Sequence, residues 1–151
     1  MTGIAIKGSL PILGRPEAVL AALHDCAVLQ GILPSCEGVD AVAPGRFRVR
    51  IARKIGVLTL RMEPDLVIAP GAEALRNTLS VQASSRIAGS IDATLALHLS
   101  REPLGTRLFW DGEVSASGLV RRLLTDRQDQ VSAGVAGLFA ALKHVVEGKN
   151  A

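Results

Sequence analysis

From Pro44 onward, apolar and polar residues alternate through several successive segments, the period of strands with one dry face and one wet face. In Arg46-Phe47-Arg48-Val49-Arg50-Ile51 the alternation is unbroken, so Phe47, Val49 and Ile51 must face inward while the arginines face water. After a turn at Lys54-Ile55-Gly56, Leu58, Leu60 and Met62 continue it, and Pro70-Gly71 breaks that strand. Leu75, Asn77, Leu79, Val81 and Ala83 share the inner face of the next, which turns at Ser84-Ser85. Ile87, Gly89, Ile91, Ala93, Leu95, Leu97 and Leu99 then give the longest alternation, set against Ser90, Asp92, Thr94 and His98. After Glu102-Pro103, Leu104, Thr106, Leu108, Trp110 and Val114 point inward, and Phe109 falls on the outer face.

Different elements flank this series. Ile4, Ile6, Gly8 and Leu10 alternate in a first strand that Pro11 ends or places at an edge. Pro16 suits the first turn of a short helix, with Glu17 near its positive end and Val19, Leu20 and Leu23 on one face. A second short helix covers Cys26 to Gly31 and stops before Pro34. After Ser117 the period becomes helical: Leu119, Leu123, Val131, Val135, Leu138, Leu142 and Val145 fall on one side, with Arg122, Asp126, Asp129 and Lys143 opposite. Ser117 is placed to cap this helix and Gly148 to stop it near Glu147. Its roughly 30 residues span some ~45 Å. Ala133, Gly137 and Ala141 make a smooth strip on it, suited to close packing on the sheet or to contact with a ligand.

The order is therefore strand, two short helices, consecutive antiparallel strands, and one long helix. Strands joined by short turns form a meander, apolar on one face and wet on the other. A twisted sheet of about seven strands curls, and only the terminal helix is long enough to fill the curl. The predicted fold is α+β: a curved antiparallel sheet gripping a long C-terminal helix, in a single domain over residues 1–151.

Composition narrows the picture. With 48% apolar and 21% charged residues the chain is globular and not disordered. A net charge of +3 is too mild to imply nucleic acid. The near-uncharged stretch from Val131 to Val146 contains Lys143 and His144 and falls short of the ~20 residues of a spanning helix. No secretory pattern opens the chain, so a cytoplasmic location with Cys26 and Cys36 as free thiols is expected.

The element order resembles the helix-grip fold of the START/polyketide-cyclase/Bet v 1 (SRPBCC) superfamily. Within it, local motifs are similar to the CoxG-like family of carbon monoxide dehydrogenase. They are Gly8-Ser9-Leu10-Pro11, Arg15-Pro16-Glu17-Ala18-Val19, Leu23-His24-Asp25 with Val28-Leu29, and Ile32-Leu33-Pro34-Ser35-Cys36-Glu37. Gly45-Arg46-Phe47, Ile55-Gly56, Gly105-Thr106 and the strand ending at Val114 also fit. Leu20, Cys26 and Ser35 stand where the family has tryptophan, proline and glycine. The resemblance implies an apolar ligand, quinone- or lipid-like, between sheet and helix. It also implies an accessory role beside a molybdenum hydroxylase of the carbon monoxide dehydrogenase type, with peripheral contact at the inner face of the membrane.

No nucleophile elbow, phosphate loop, GxGxxG or HExxH occurs, and His24, His98 and His144 have no nucleophile placed beside them by the sequence. No catalytic residue, metal ligand or cofactor is assigned. On this plan the cavity walls are Phe47, Val49, Leu58, Leu60, Leu79, Val81, Ile91, Leu95, Leu108, Trp110, Val131, Val135 and Leu138, with Asn77 and Thr106 as inward polar groups. Mostly apolar walls with few polar groups are how small-molecule sites are built, though the same residues describe a packed core. Arg46, Arg48, Arg50, Arg53, Lys54 and Arg61 form a basic row, which is either a solvated face or a surface for an acidic protein partner or an anionic membrane. Without interleaved aromatics it does not suit nucleic acid. A non-catalytic binder of a hydrophobic molecule is the favoured reading. A cyclase- or dehydratase-type enzyme of the same fold, and an interaction module with a solid core, are the alternatives; a homodimer stays open.

Overall fold

A computed structural model describes residues 3–149 except 34, 56, 72, 74, 86–88 and 126–127; the side chains of 53, 55, 58, 60, 123–125 and 149 also lie outside the described set. The elements run β1 (Ile4–Ile12), α1 (Pro16–Leu23), α2 (Cys26–Ile32), β2 (Cys36–Ala43), β3 (Arg46–Ile55), β4 (Leu58–Met62), β5 (Asp65–Pro70), β6 (Arg76–Ser85), β7 (Gly89–Glu102), β8 (Gly105–Ala116), α3 (Gly118–Thr125) and α4 (Gln128–Lys149). All strands join one eight-stranded antiparallel sheet in the order β1-β8-β7-β6-β5-β3-β2, with β4 also on β3. The expected helix-grip architecture is thus present.

Pro16 opens α1 without needing its missing N–H, and Asp25 caps α2 by accepting from the amides of Ala27 and Val28. The alternation read from β3, β6, β7 and β8 matches their buried and exposed faces. β2 carried no such signal: Val39 faces inward opposite Val49, but Gly38, opposite Arg50, is buried under that arginine's side chain on the outer face, and bulges at Cys36/Gly38 and Ala41/Ala43 break the alternation. β4 and β5 read as one strand. They are separate, yet Pro64 between them accepts from the Val49 amide, so β3 passes from one partner to the other with the phase intact. Leu104, expected inward, is 84% exposed because it lies in the β7–β8 turn.

The C-terminal helix departs from its expected phase. The expected single helix is two elements, α3 and α4: among the described residues Val120 is buried and Leu119 exposed in α3, while in α4 Phe139, Leu142 and Val146 are buried and Val131, Val135, Leu138 and Val145 are half-buried flanks. In α4 the stripe is rotated by about half a position, about 50° of helix, so Leu142 is inside as expected and Phe139 turns onto Trp110. Leu123 and Asp126, two of the positions used to set the phase, lie outside the described residues. Ser117 precedes α3, but its hydroxyl accepts from the Ser90 amide (3.1 Å) and pairs with the Ser90 hydroxyl (2.7 Å), tying α3 to the start of β7. The strip of Ala133 and Gly137 faces away from the sheet, and a Cβ added at Gly134 or Gly137 would meet nothing within 4 Å. Those glycines therefore gain no close packing within this chain.

Gln128–Gly148 is, by length and composition, apolar enough to cross a membrane, with a mean hydropathy of 1.2 and 17% of its most apolar window buried. The expectation that this stretch is too short to span therefore does not hold. The helix is instead docked. Lys143 donates to the Pro11 carbonyl (2.8 Å), Glu147 accepts from the Leu13 amide (2.9 Å), and Phe139, Leu142 and Val146 enter the core.

Candidate functional site

Cross-strand register sorts the concave face into rows. Leu10, Leu108 and Leu99 form one row, and Gly8, Trp110, Leu97 and Asn77 the next. Ile6, Gly112, Leu95, Leu79 and Ile68 follow. Beyond them come Ile4, Val114, Ala93, Val81, Leu66 and Phe47.

Burial changes along these rows. At the end where α4 is fastened to β1, Ile12, Leu99 and Leu108 are fully buried, and Thr106 gives its hydroxyl to the Gly14 carbonyl (2.7 Å). Trp110 lies between Gly8 and Phe139, its ring 4.6 Å from that of Phe139 by centroids. Toward the other end Ile4, Val81, Ala93 and Ile91 are only half-buried, while Val114, Leu66 and Phe47 of the same row stay buried. Val131, Val135 and Leu138 of α4, packed against the same core, are half-buried too. α4 runs from its fastening point at Pro11–Leu13 back over Trp110, so its earlier turns continue toward that half-buried end. Two apolar walls that closed on one another would both be dry; here both retain access.

Of the expected lining residues, Phe47, Val49, Asn77, Leu79, Leu95, Thr106, Leu108 and Trp110 are buried in the concave face and Val81 and Ile91 half-buried. The side chains of Leu58 and Leu60 lie outside the described residues. The sequence reading missed Phe139, whose phase error hid it, and Ile4 and Ala93, whose registers place them at the half-buried end. Among the described residues Asn77 and Thr106 are the buried polar side chains, and the Asn77 amide nitrogen has no hydrogen-bond partner.

Two surface grooves lie elsewhere. One, of about 620 Å³, runs between the β1–α1 connection and the β7–β8 turn, crossed by the Arg101–Glu17 ion pair. That pair holds the Glu17 carboxyl below its usual range. The other, of about 550 Å³, lies between α2 and α4. None of the expected lining residues borders either.

Of the basic row, Arg46, Arg48, Arg50, Lys54 and Arg61 occupy the convex face. Arg48 pairs with Asp65 (3.5 Å), Arg50 with Asp40 (3.6 Å) and Arg61 with Glu37 (3.0 Å). Among the described residues Arg46 and Lys54 have no carboxylate at ion-pair distance; the Arg53 side chain lies outside them. The histidines have local roles: His24 Nδ1 is 2.8 Å from the Leu20 carbonyl and its ring meets Phe47 edge-on, while His98 stacks on Phe109. Among the described residues no three His, Cys, Asp or Glu side chains gather to hold a metal ion.

Sheet and helix define a START-like fold of the helix-grip class, and solved structures agree on it. A conserved protein from Geobacillus kaustophilus aligns with a TM-score of 0.77 at 15% identity, covering 94% of each chain. A START superfamily protein from Mycobacterium smegmatis gives 0.59 at 13% identity over 98% of this chain and 97% of that one. The di-domain aromatase/cyclase StfQ of the steffimycin pathway gives 0.66 at 10% identity over 98% of this chain and 52% of that one. No curated protein matches the chain significantly. The family model for CoxG of carbon monoxide dehydrogenase matches residues 8–140, and the chain belongs to that family.

Proposed function

We propose that the chain is a non-catalytic binder of a hydrophobic small molecule, quinone- or lipid-like, held between the concave face and α4. The observation that carries this reading is the half-burial of Val81, Ile91 and Ala93 on the concave face and of Val131, Val135 and Leu138 on the helix. Filling the space between them with an apolar molecule would be worth about 25 cal/mol per Å² of surface removed from water. Membership of the CoxG family supports an accessory role beside a carbon monoxide dehydrogenase-type molybdenum hydroxylase, in the cytoplasm or at the inner face of the membrane. The convex row, led by Arg46 and Lys54, is the surface offered to an acidic partner or an anionic membrane.

Native mass spectrometry of protein purified without detergent tests the reading, together with titration of the neutral fluorophore N-phenyl-1-naphthylamine. A retained apolar mass, or saturable fluorophore binding abolished by Val135→Asp, is expected. A bare polypeptide mass with no fluorophore binding would reject it.

A further inference from the structure

Asn77 stands out on the concave face. It lies on β6 opposite Leu97 of β7 and Pro70 of β5, and two residues from Leu79, so every neighbour in its row and column is apolar. The residue is 7% exposed, and its amide nitrogen is buried with no hydrogen-bond partner. An unpaired buried donor is destabilising, and leucine would fit the same volume without that cost. Thr106, the other buried polar side chain among the described residues, is already satisfied by the Gly14 carbonyl.

We infer that Asn77 is the specificity-determining group of the proposed site, selecting a neutral ligand that carries a carbonyl or comparable hydrogen-bond-accepting oxygen; the inference rests on the ligand-binding reading above. Position and charge both support it. Asn77 lies four residues along β6 from half-buried Val81, roughly 13 Å at strand rise. A molecule entering at the open end therefore reaches Asn77 with its leading end, past Leu79 and toward Trp110. No charged side chain is buried among the described residues. An anionic head carried to that depth would lose its hydration with no counter-charge to replace it, whereas a carbonyl oxygen needs only the donor that Asn77 holds unpaired. The hydrocarbon remainder lies along Val81, Ile91 and the α4 face.

Three probes of matched length separate the cases: tridecan-2-one, tridecane and tridecanoic acid, each competing with N-phenyl-1-naphthylamine on the intact chain at neutral pH. In the wild type the ketone should bind about tenfold tighter than the alkane, the share of one hydrogen bond in a buried site, and tighter than the acid. Asn77→Leu should abolish the ketone's advantage while alkane binding holds or improves; Asn77→Ala provides the same comparison should the leucine variant fail to fold. Equal binding of ketone and alkane by the wild type, an unchanged ratio in the variants, or tightest binding of the acid would overturn the inference and leave the hydrophobic site standing. Wild-type protein that binds neither fluorophore nor probes would defeat the binding reading itself.

Discussion

Gly8→Ala is the most exacting test of how the helix is held. A Cβ at position 8 would stand 2.6 Å from Cε2 of Trp110, 2.9 Å from its Nε1 and nearer still to Cζ2. Trp110 cannot retreat, because Phe139 stacks on it at an interplanar angle of 28° and both rings are buried. The indole must therefore push Phe139, and with it the turn of α4 that anchors the helix. Overpacking of this kind costs about 1–3 kcal/mol, and the disturbed ring pair about 0.5–1.5 kcal/mol more. Replacing glycine in a strand returns about 0.5–1 kcal/mol. The net loss is ~0.5–4 kcal/mol, and its midpoint of ~2 kcal/mol at ~2–4 °C per kcal/mol for a chain of this size lowers Tm by about 4–8 °C. Thermal unfolding followed by far-ultraviolet circular dichroism measures it. Phe139→Leu on the Gly8→Ala background should cost less than the sum of the single changes, because the two positions act through one ring. A Gly8→Ala protein as stable as the wild type, or more so, would refute the close approach of strand and indole as the constraint on the helix.

Two further outcomes follow from local geometry. Ser35 has φ +57°, in the left-handed region, at the position where the resembled motif carries glycine. That conformation costs an L-residue ~1–2 kcal/mol, against ~0.4–1 kcal/mol for glycine's extra freedom when unfolded. Ser35→Gly should therefore raise Tm by about 1–4 °C, and a lower Tm would contradict the strain. The Glu147 carboxyl is held below its ordinary value of 4.5 by its hydrogen bonds to Lys143 and the Leu13 amide. A depressed folded pKa means a contribution present above the unfolded value and lost as pH falls through the folded one. The Leu13 amide resonance should thus titrate with its midpoint below pH 4.5, and Glu147→Gln should flatten that titration. Movement centred above 4.5 would mean that the carboxylate is not engaged.

What the sequence made legible depended on how sharply each segment divides core from water. Phe47-Arg48-Val49-Arg50 admits one pairing face only, and the structure has it. At Gly38-Val39 two successive residues are buried on opposite faces, Gly38 under the Arg50 side chain and Val39 in the core, and alternation fails as a signal. The break at Pro64 was invisible for the opposite reason, since the even-numbered apolar positions run through it without a change of phase. In the last helix, leucine count favoured a stripe through Leu119 and Leu138, but Trp110 beneath the helix decides the phase and selects Phe139. That contact joins residues far apart in the chain, and periodicity cannot see it. Of the site, the inward positions of Asn77, Leu79, Val81 and Ile91 were legible. The gradient of burial along the rows was not, because it depends on where α4 is fastened at Pro11–Leu13.

The placement of Trp110 has a practical consequence. The chain contains one tryptophan and no tyrosine, so its indole emission comes from a single fluorophore. It sits at the clasp between the first strand and the last helix, stacked face to face with Phe139. Any release of that clasp changes its quenching and its solvent exposure together, giving the molecule an intrinsic optical gauge of whether the grip is open or shut.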